Sequence, residues 1–153
     1  MTSLADIQNF LAQKRVAIIG VSRDPKNFSR MLFNEFAQRG YEVLAVNLNG
    51  GEIDGHHCFA HVEDIVPTPE AVLLMTPDRV SESLLPDCKK AGVRNVWIYG
   101  YSGRSTVSPR AIAELREAGL RIVDGECPLM FFPRNGLHRV HGFLRKIVRS
   151  YPS

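Results

Sequence analysis

The sequence predicts an α/β domain: a three-layer, doubly wound parallel sheet with helices on both faces. Three observations predict it. Short apolar, β-branched runs recur at near-even spacing, stretches with a helical period lie between most of them, and a glycine closes most of those helices. Strand and helix alternating in units of about 25 residues imply parallel pairing through right-handed crossovers.

In chain order, residues 5–13 predict a helix packed on the sheet, and Val16-Ala17-Ile18-Ile19 the first strand. Residues 28–39 form a second helix, with Met31, Leu32 and Phe36 on one face and Gly40 as its stop. Val43-Leu44-Ala45-Val46 is the next strand. Residues 48–69 break the pattern with Gly50, Gly51, Gly55, Pro67 and Pro69. A minor edge strand at His57-Cys58-Phe59 and one helical turn over 62–66 are expected there. Ala71-Val72-Leu73-Leu74-Met75 resumes the alternation. A helix over 81–91 follows, with Lys89 and Lys90 in its last turn and Gly92 beyond. Val96-Trp97-Ile98-Tyr99, a helix over 109–118 between Ser108 and Gly119, and Arg121-Ile122-Val123 complete the set; residues 137–148 predict a C-terminal helix.

At 153 residues, 44% hydrophobic and 23% charged, the chain fits a single core with no internal domain boundary. No apolar run approaches the roughly 20 residues that span a bilayer, and residues 1–15 hold no signal-like apolar segment, so a cytoplasmic protein is expected. Cys58, Cys88 and Cys127 lie far apart and are odd in number, which argues for reduced thiols. The net charge of +3 decides little.

In open parallel sheets ligands lie beyond the carboxyl ends of the strands, where the strand order reverses. In the usual order the loops after Ile19 and Met75 wall that crevice. The first, Gly20-Val21-Ser22-Arg23-Asp24-Pro25, enters a helix whose N-terminus favours a phosphate, and Arg23, Lys26 and Arg30 add cations. Ser22 and Pro25 stand where a dinucleotide fingerprint has its second and third glycines. Two readings stay open: an anion cradle, or a plain strand-to-helix turn capped by Asp24 or Asn27. After the second strand the chain has Asn47, where NAD-binding domains usually place an acid for the ribose diol. Asparagine does not repel a nearby phosphate, so a ribose-phosphate ligand such as coenzyme A suits it better than NAD. Asn47 also fits as the start of a Gly-rich turn.

The ordered set Val16 to Pro25, Gly40-Tyr41-Glu42-Val43 into Asn47, Gly55-His56-His57-Cys58, the run from Ala91 to Trp97, and Ala118-Gly119-Leu120 through Gly125-Glu126-Cys127-Pro128 resembles a known family. It is that of stand-alone CoA-binding domain proteins with a Rossmann-like fold, related to the N-terminal domain of the succinyl-CoA synthetase α subunit. The resemblance spans roughly residues 11–128. It implies that Gly20, Val21, Ser22, Arg23, Asp24, Pro25 and Lys26 hold the CoA pyrophosphate. It also implies that Asn47 and Leu48 flank the adenosine and that Thr76 and Pro77 line the opposite wall. The synthetase's phosphohistidine belongs to a second domain that this chain lacks, so its activity does not carry over.

His56, His57, Cys58 and His61 are read as a surface edge strand rather than a metal site, because strand alternation separates His57 from Cys58. Cys127, at the ligand edge, is read as inert packing. The tail carries Arg134, Arg139, Arg145, Lys146 and Arg149 beside an apolar stripe. It is expected to dock on its own domain or on a second subunit, as a homodimer, rather than bind nucleic acid. No catalytic triad, carboxylate pair or Walker loop is visible, so no catalytic residue is assigned. The expected function is a non-catalytic module that binds CoA or acyl-CoA. The alternative is an NAD(P)-binding oxidoreductase or redox-sensing regulator on the same fold.

Overall fold

The computed structural model describes residues 2–100, 104 and 107–132. Helix α1 (Leu4–Leu11) precedes strand β1 (Arg15–Ile19), helix α2 (Phe28–Gln38) and strand β2 (Glu42–Val46). Strands β3 (Glu52–Ile53) and β4 (His56–Phe59), a 3-10 turn (Val62–Asp64) and β5 (Ala71–Leu74) follow. Next come α3 (Asp78–Ala91), β6 (Asn95–Tyr99), α4 (Pro109–Glu117), β7 (Arg121–Glu126) and a 3-10 turn (Pro128–Met130).

The sheet runs β3-β4-β2-β1-β5-β6-β7. All pairings are parallel except β3 with β4. From β1 the chain builds outward through β2 and β4, then crosses back to β5 on the other side of β1. The order therefore reverses between β1 and β5, the doubly wound arrangement the alternation predicts.

Successive strand residues point to opposite faces, and the core divides accordingly. Val16, Ile18, Leu73 and Trp97 pack with Phe10 of α1 and Leu32, Phe33 and Phe36 of α2. Ala17, Ile19, Val72, Leu74 and Ile98 pack with Leu85 and Cys88 of α3 and Ile112 of α4. Trp97 is fully buried, meets the Phe10 ring edge-on with centroids 5.2 Å apart, and donates its indole N–H to the Glu126 carbonyl at 2.9 Å.

The expected edge strand lies one place further in. β4 pairs with β2, and β3 covers its outer side through a hairpin turned by Asp54 (φ 50) and Gly55 (φ 77). Asp-Gly is the residue pair that a two-residue hairpin turn favours, but a two-residue strand is too short to show a period. α3 starts three residues before the expected 81, because Pro77 is already shaped as its N-cap and Asp78 suits its positive end. The expected helix over 137–148, its basic residues and Tyr101-Ser102-Gly103 lie outside the described residues.

Candidate functional site

Strands β1, β2 and β5 end together at the switch point, and the chain there begins with a close approach. Gly20 adopts φ +95, and a Cβ on it would lie 2.8 Å from the Met75 carbonyl oxygen and 3.0 Å from Thr76 Cγ2. Only glycine lets the loop leave β1 this close to the neighbouring turn.

The loop from Gly20 to α2 is closed by its own hydrogen bonds. The Ser22 amide donates to Ser29 Oγ at 2.9 Å, the Asp24 amide to Ser22 Oγ at 3.1 Å, and the Lys26 amide to Asp24 Oδ1 at 2.9 Å. Asn27, not Asp24, caps α2, its Oδ1 accepting from the Ser29 amide and hydroxyl. The amides of Val21 and Arg23 have no acceptor among the described residues.

The three cations expected here divide by role. Arg30 is only 3% exposed, donates to the carbonyls of Ser22 and Arg23 at 3.1 Å each, and pairs with the Asp54 carboxylate. It braces the loop from below and is not a solvent-facing charge. Arg23 is exposed and donates to the Gly50 carbonyl, bridging this loop to the one after β2, while Lys26 is exposed. Val21 is fully buried, backbone included, and lies beneath the rim of the crevice.

Asn47 ties the same two loops. Its Nδ2 donates to the Val21 carbonyl at 3.0 Å and its Oδ1 accepts from the Asn49 amide at 3.0 Å. Both halves of the carboxamide are thus engaged in shaping the rim, and the turn reading and the ligand-edge position hold together.

Beside these loops, on the face covered by α3, lies a cleft of about 320 Å³. Its floor is Ile19, Gly20 and Val46. One wall is Asn47, Leu48, Asn49, Ala60, His61, Val62 and Glu63, and the other is Thr76, Val80, Leu84 and Asp87. Among the sequence candidates, Gly20, Asn47, Leu48 and Thr76 line it. Ser22, Arg23, Asp24, Pro25 and Lys26 belong to the adjoining loop, and Pro77 caps α3 behind Thr76. Thr76 Oγ1 is 2.8 Å from Ser81 Oγ, which locks the start of α3. Leu48 and Val80 are 73% and 39% exposed, unusual for large apolar side chains, and they face the same space.

The sequence reading missed His61, Glu63, Val80, Leu84 and Asp87. A 3.6-residue period links Val80, Leu84 and Asp87, so the signal existed, but it reads equally as core packing. Among the described residues the lining holds two carboxylates and no lysine or arginine. The cations stand outside, on the loop to α2.

The three thiols are withdrawn from solvent. Cys58, Cys88 and Cys127 are all buried and free. Burial pushes the Cys88 thiol up to about 12, with the Asp87 and Glu63 charges adding to it, and burial also raises Cys127. No three histidine, cysteine or carboxylate side chains among the described residues converge as metal ligands, and no described helix is long and apolar enough to cross a membrane.

Comparison with known proteins points the same way. Residues 14–133 match the family model described as CoA binding domain. The alpha subunit of an ADP-forming acetate–CoA ligase II from Pyrococcus furiosus is 26% identical over 125 residues, which cover 77% of this chain and 27% of that subunit. This chain therefore spans about a quarter of that relative's length. A hypothetical protein from Pyrococcus horikoshii OT3 superposes with a TM-score of 0.68 at 25% identity, over 81% of this chain and 85% of that one. A dinucleotide-forming acetyl-coenzyme A synthetase 1 from Ca. Korarchaeum cryptofilum, in complex with phosphate and ADP, is similar in fold. Its TM-score is 0.59 at 20% identity, over 73% of this chain and 25% of that one.

Proposed function

The chain belongs to the CoA binding domain family over residues 14–133, and from that premise we propose that it is a binding module, without a catalytic step of its own, for CoA or an acyl-CoA. The adenosine occupies the cleft between the loop after β2 and helix α3. The phosphates lie over the loop from Gly20 to Lys26.

The observation that carries this reading is the division of charge. A cleft of about 320 Å³ lies at the small end of the range of about 300–1,000 Å³ for small-molecule sites, so it takes one end of CoA and not the whole molecule. Its lining includes Ile19, Val46, Val62 and Leu84 with no cation, which suits a base and ribose. The free amide of Arg23 and the exposed Arg23 and Lys26 side chains form the electropositive neighbour a pyrophosphate requires.

The NAD alternative lacks comparable support. NAD-binding domains present a carboxylate to the ribose diol at the end of their second strand, and here Asn47 has both carboxamide groups turned into the backbone. The ligase chemistry of the longer Pyrococcus furiosus relative is outside this proposal.

Thermal melting with CoA, dephospho-CoA, NAD and NADP tests the reading. CoA at 100 times its Kd adds about 2.7 kcal/mol of stability, and NAD and NADP add much less. Arg23→Ala weakens CoA while leaving the unliganded Tm near the wild-type value. A larger shift with NAD than with CoA would overturn the assignment.

A further inference from the structure

The lining of the cleft is chemically lopsided. Glu63, on the 3-10 turn, and Asp87, on α3, both line it, and neither carboxylate has a hydrogen-bond or ion-pair partner among the described residues. Both lie near enough to Cys88 to act on its thiol, which places them at the junction of the 3-10 turn with α3, in walls formed by different elements. Across the cleft mouth, Leu48 and Val80 present exposed apolar surface. The cations Arg23 and Lys26 stand outside this lining, on the exposed loop from Gly20 to α2.

A flat heteroaromatic ring gains from the apolar walls, while a phosphate is repelled by the two carboxylates and drawn to the loop that carries Arg23 and Lys26. An ionised carboxylate accepts hydrogen bonds and donates none. The complementary edge of a base is therefore an exocyclic amine. We infer that Glu63 and Asp87 are specificity-determining residues that read the 6-amino group of the adenine ring and fix the nucleotide's orientation in the cleft. This inference rests on the proposed binding of CoA and adds which edge of the ligand is recognised and by which side chains.

The test uses the whole chain and two ligands, CoA and its analogue with purine in place of adenine, in which hydrogen replaces the amine without added bulk. Calorimetric titration of the wild-type protein should give CoA about tenfold or more tighter binding than the purine analogue, the size expected of hydrogen bonds to a charged acceptor. In the double variant Glu63→Ala, Asp87→Ala, CoA falls to the affinity of the analogue, the analogue itself changes by less than about twofold, and the Tm without ligand stays near wild type. Equal binding of both ligands by the wild-type protein overturns the inference and leaves CoA binding standing. So does a double variant that keeps the wild-type preference. Failure of the wild-type protein to bind either ligand overturns the functional reading itself.

Discussion

The two walls of the crevice solve opposite problems. On the β1–α2 side the polar groups are turned inward: Ser22, Asp24, Asn27 and Ser29 bond one another, Arg30 holds two carbonyls from beneath, and Asn47 stitches the neighbouring loop to Val21. On the α3 side Pro77 caps the helix with no side-chain bond and Asp87 holds no partner among the described residues, nor does Glu63 on the 3-10 turn that packs against α3. A wall that satisfies itself keeps its shape without ligand, and so offers a ligand few new bonds beyond its remaining amides. A wall with unengaged acceptors contributes little to stability and is free to discriminate. Rigidity and recognition are thus placed on different elements of one site.

The largest expected effect probes the self-satisfied wall. Arg30→Met removes the buried guanidinium that holds the Ser22 and Arg23 carbonyls and Asp54, and should lower unfolding free energy by about 3 kcal/mol in urea titrations. Alanine at both Glu63 and Asp87 should stay within about 0.5 kcal/mol of wild type. Equal losses on the two sides would erase the contrast.

A smaller effect comes from the core beneath α3. The unfolded Cys88 thiol releases its proton near 9.0 while the folded one holds it to about 12, so over that window the unfolded state binds fewer protons and stability falls as pH rises. The stabilisation is complete below about pH 8.5, and its loss approaches about 1.4 kcal/mol per pH unit above that. Cys88→Ala should show a correspondingly shallower alkaline decline in urea midpoints; an unchanged slope would place the proton elsewhere.

Smallest is the cap. Asn27→Ala should cost about 1 kcal/mol, and it should also weaken CoA binding, because the Ser22–Ser29 link depends on Asn27 holding the Ser29 hydroxyl. A stability loss with unchanged CoA affinity would separate the cap from the loop's shape.

Much of this was legible in advance for physical reasons that individual residues make plain. A fully buried parallel strand must be continuously apolar, which marked Val16 to Ile19 and Ala71 to Leu74, and Gly40 and Gly119 adopt the positive φ that ends a helix before the next strand. The β3–β4 hairpin escaped notice because two residues carry no period. Arg30 looked like one more surface cation because sequence spacing does not show which side of a helix the neighbouring hairpin covers. Leu48, expected near the ligand from the family resemblance, lines the cleft, whereas Glu63 and Asp87 were not expected there, since charged positions on a short turn and a helix normally face water.

By itself the chain's order of apolar runs, periods and glycines determined the strand alternation, hence the parallel sheet and its switch-point edge, since each of these follows from local backbone preference and handed crossovers. Only the tertiary structure decided which polar groups remain available at that edge. Polar links such as Arg30 to Asp54 and Asn47 to Val21 join segments distant in sequence, and the packing of α3 against the 3-10 turn brings Asp87 and Glu63, 24 residues earlier in the numbering, into one lining that no local pattern encodes.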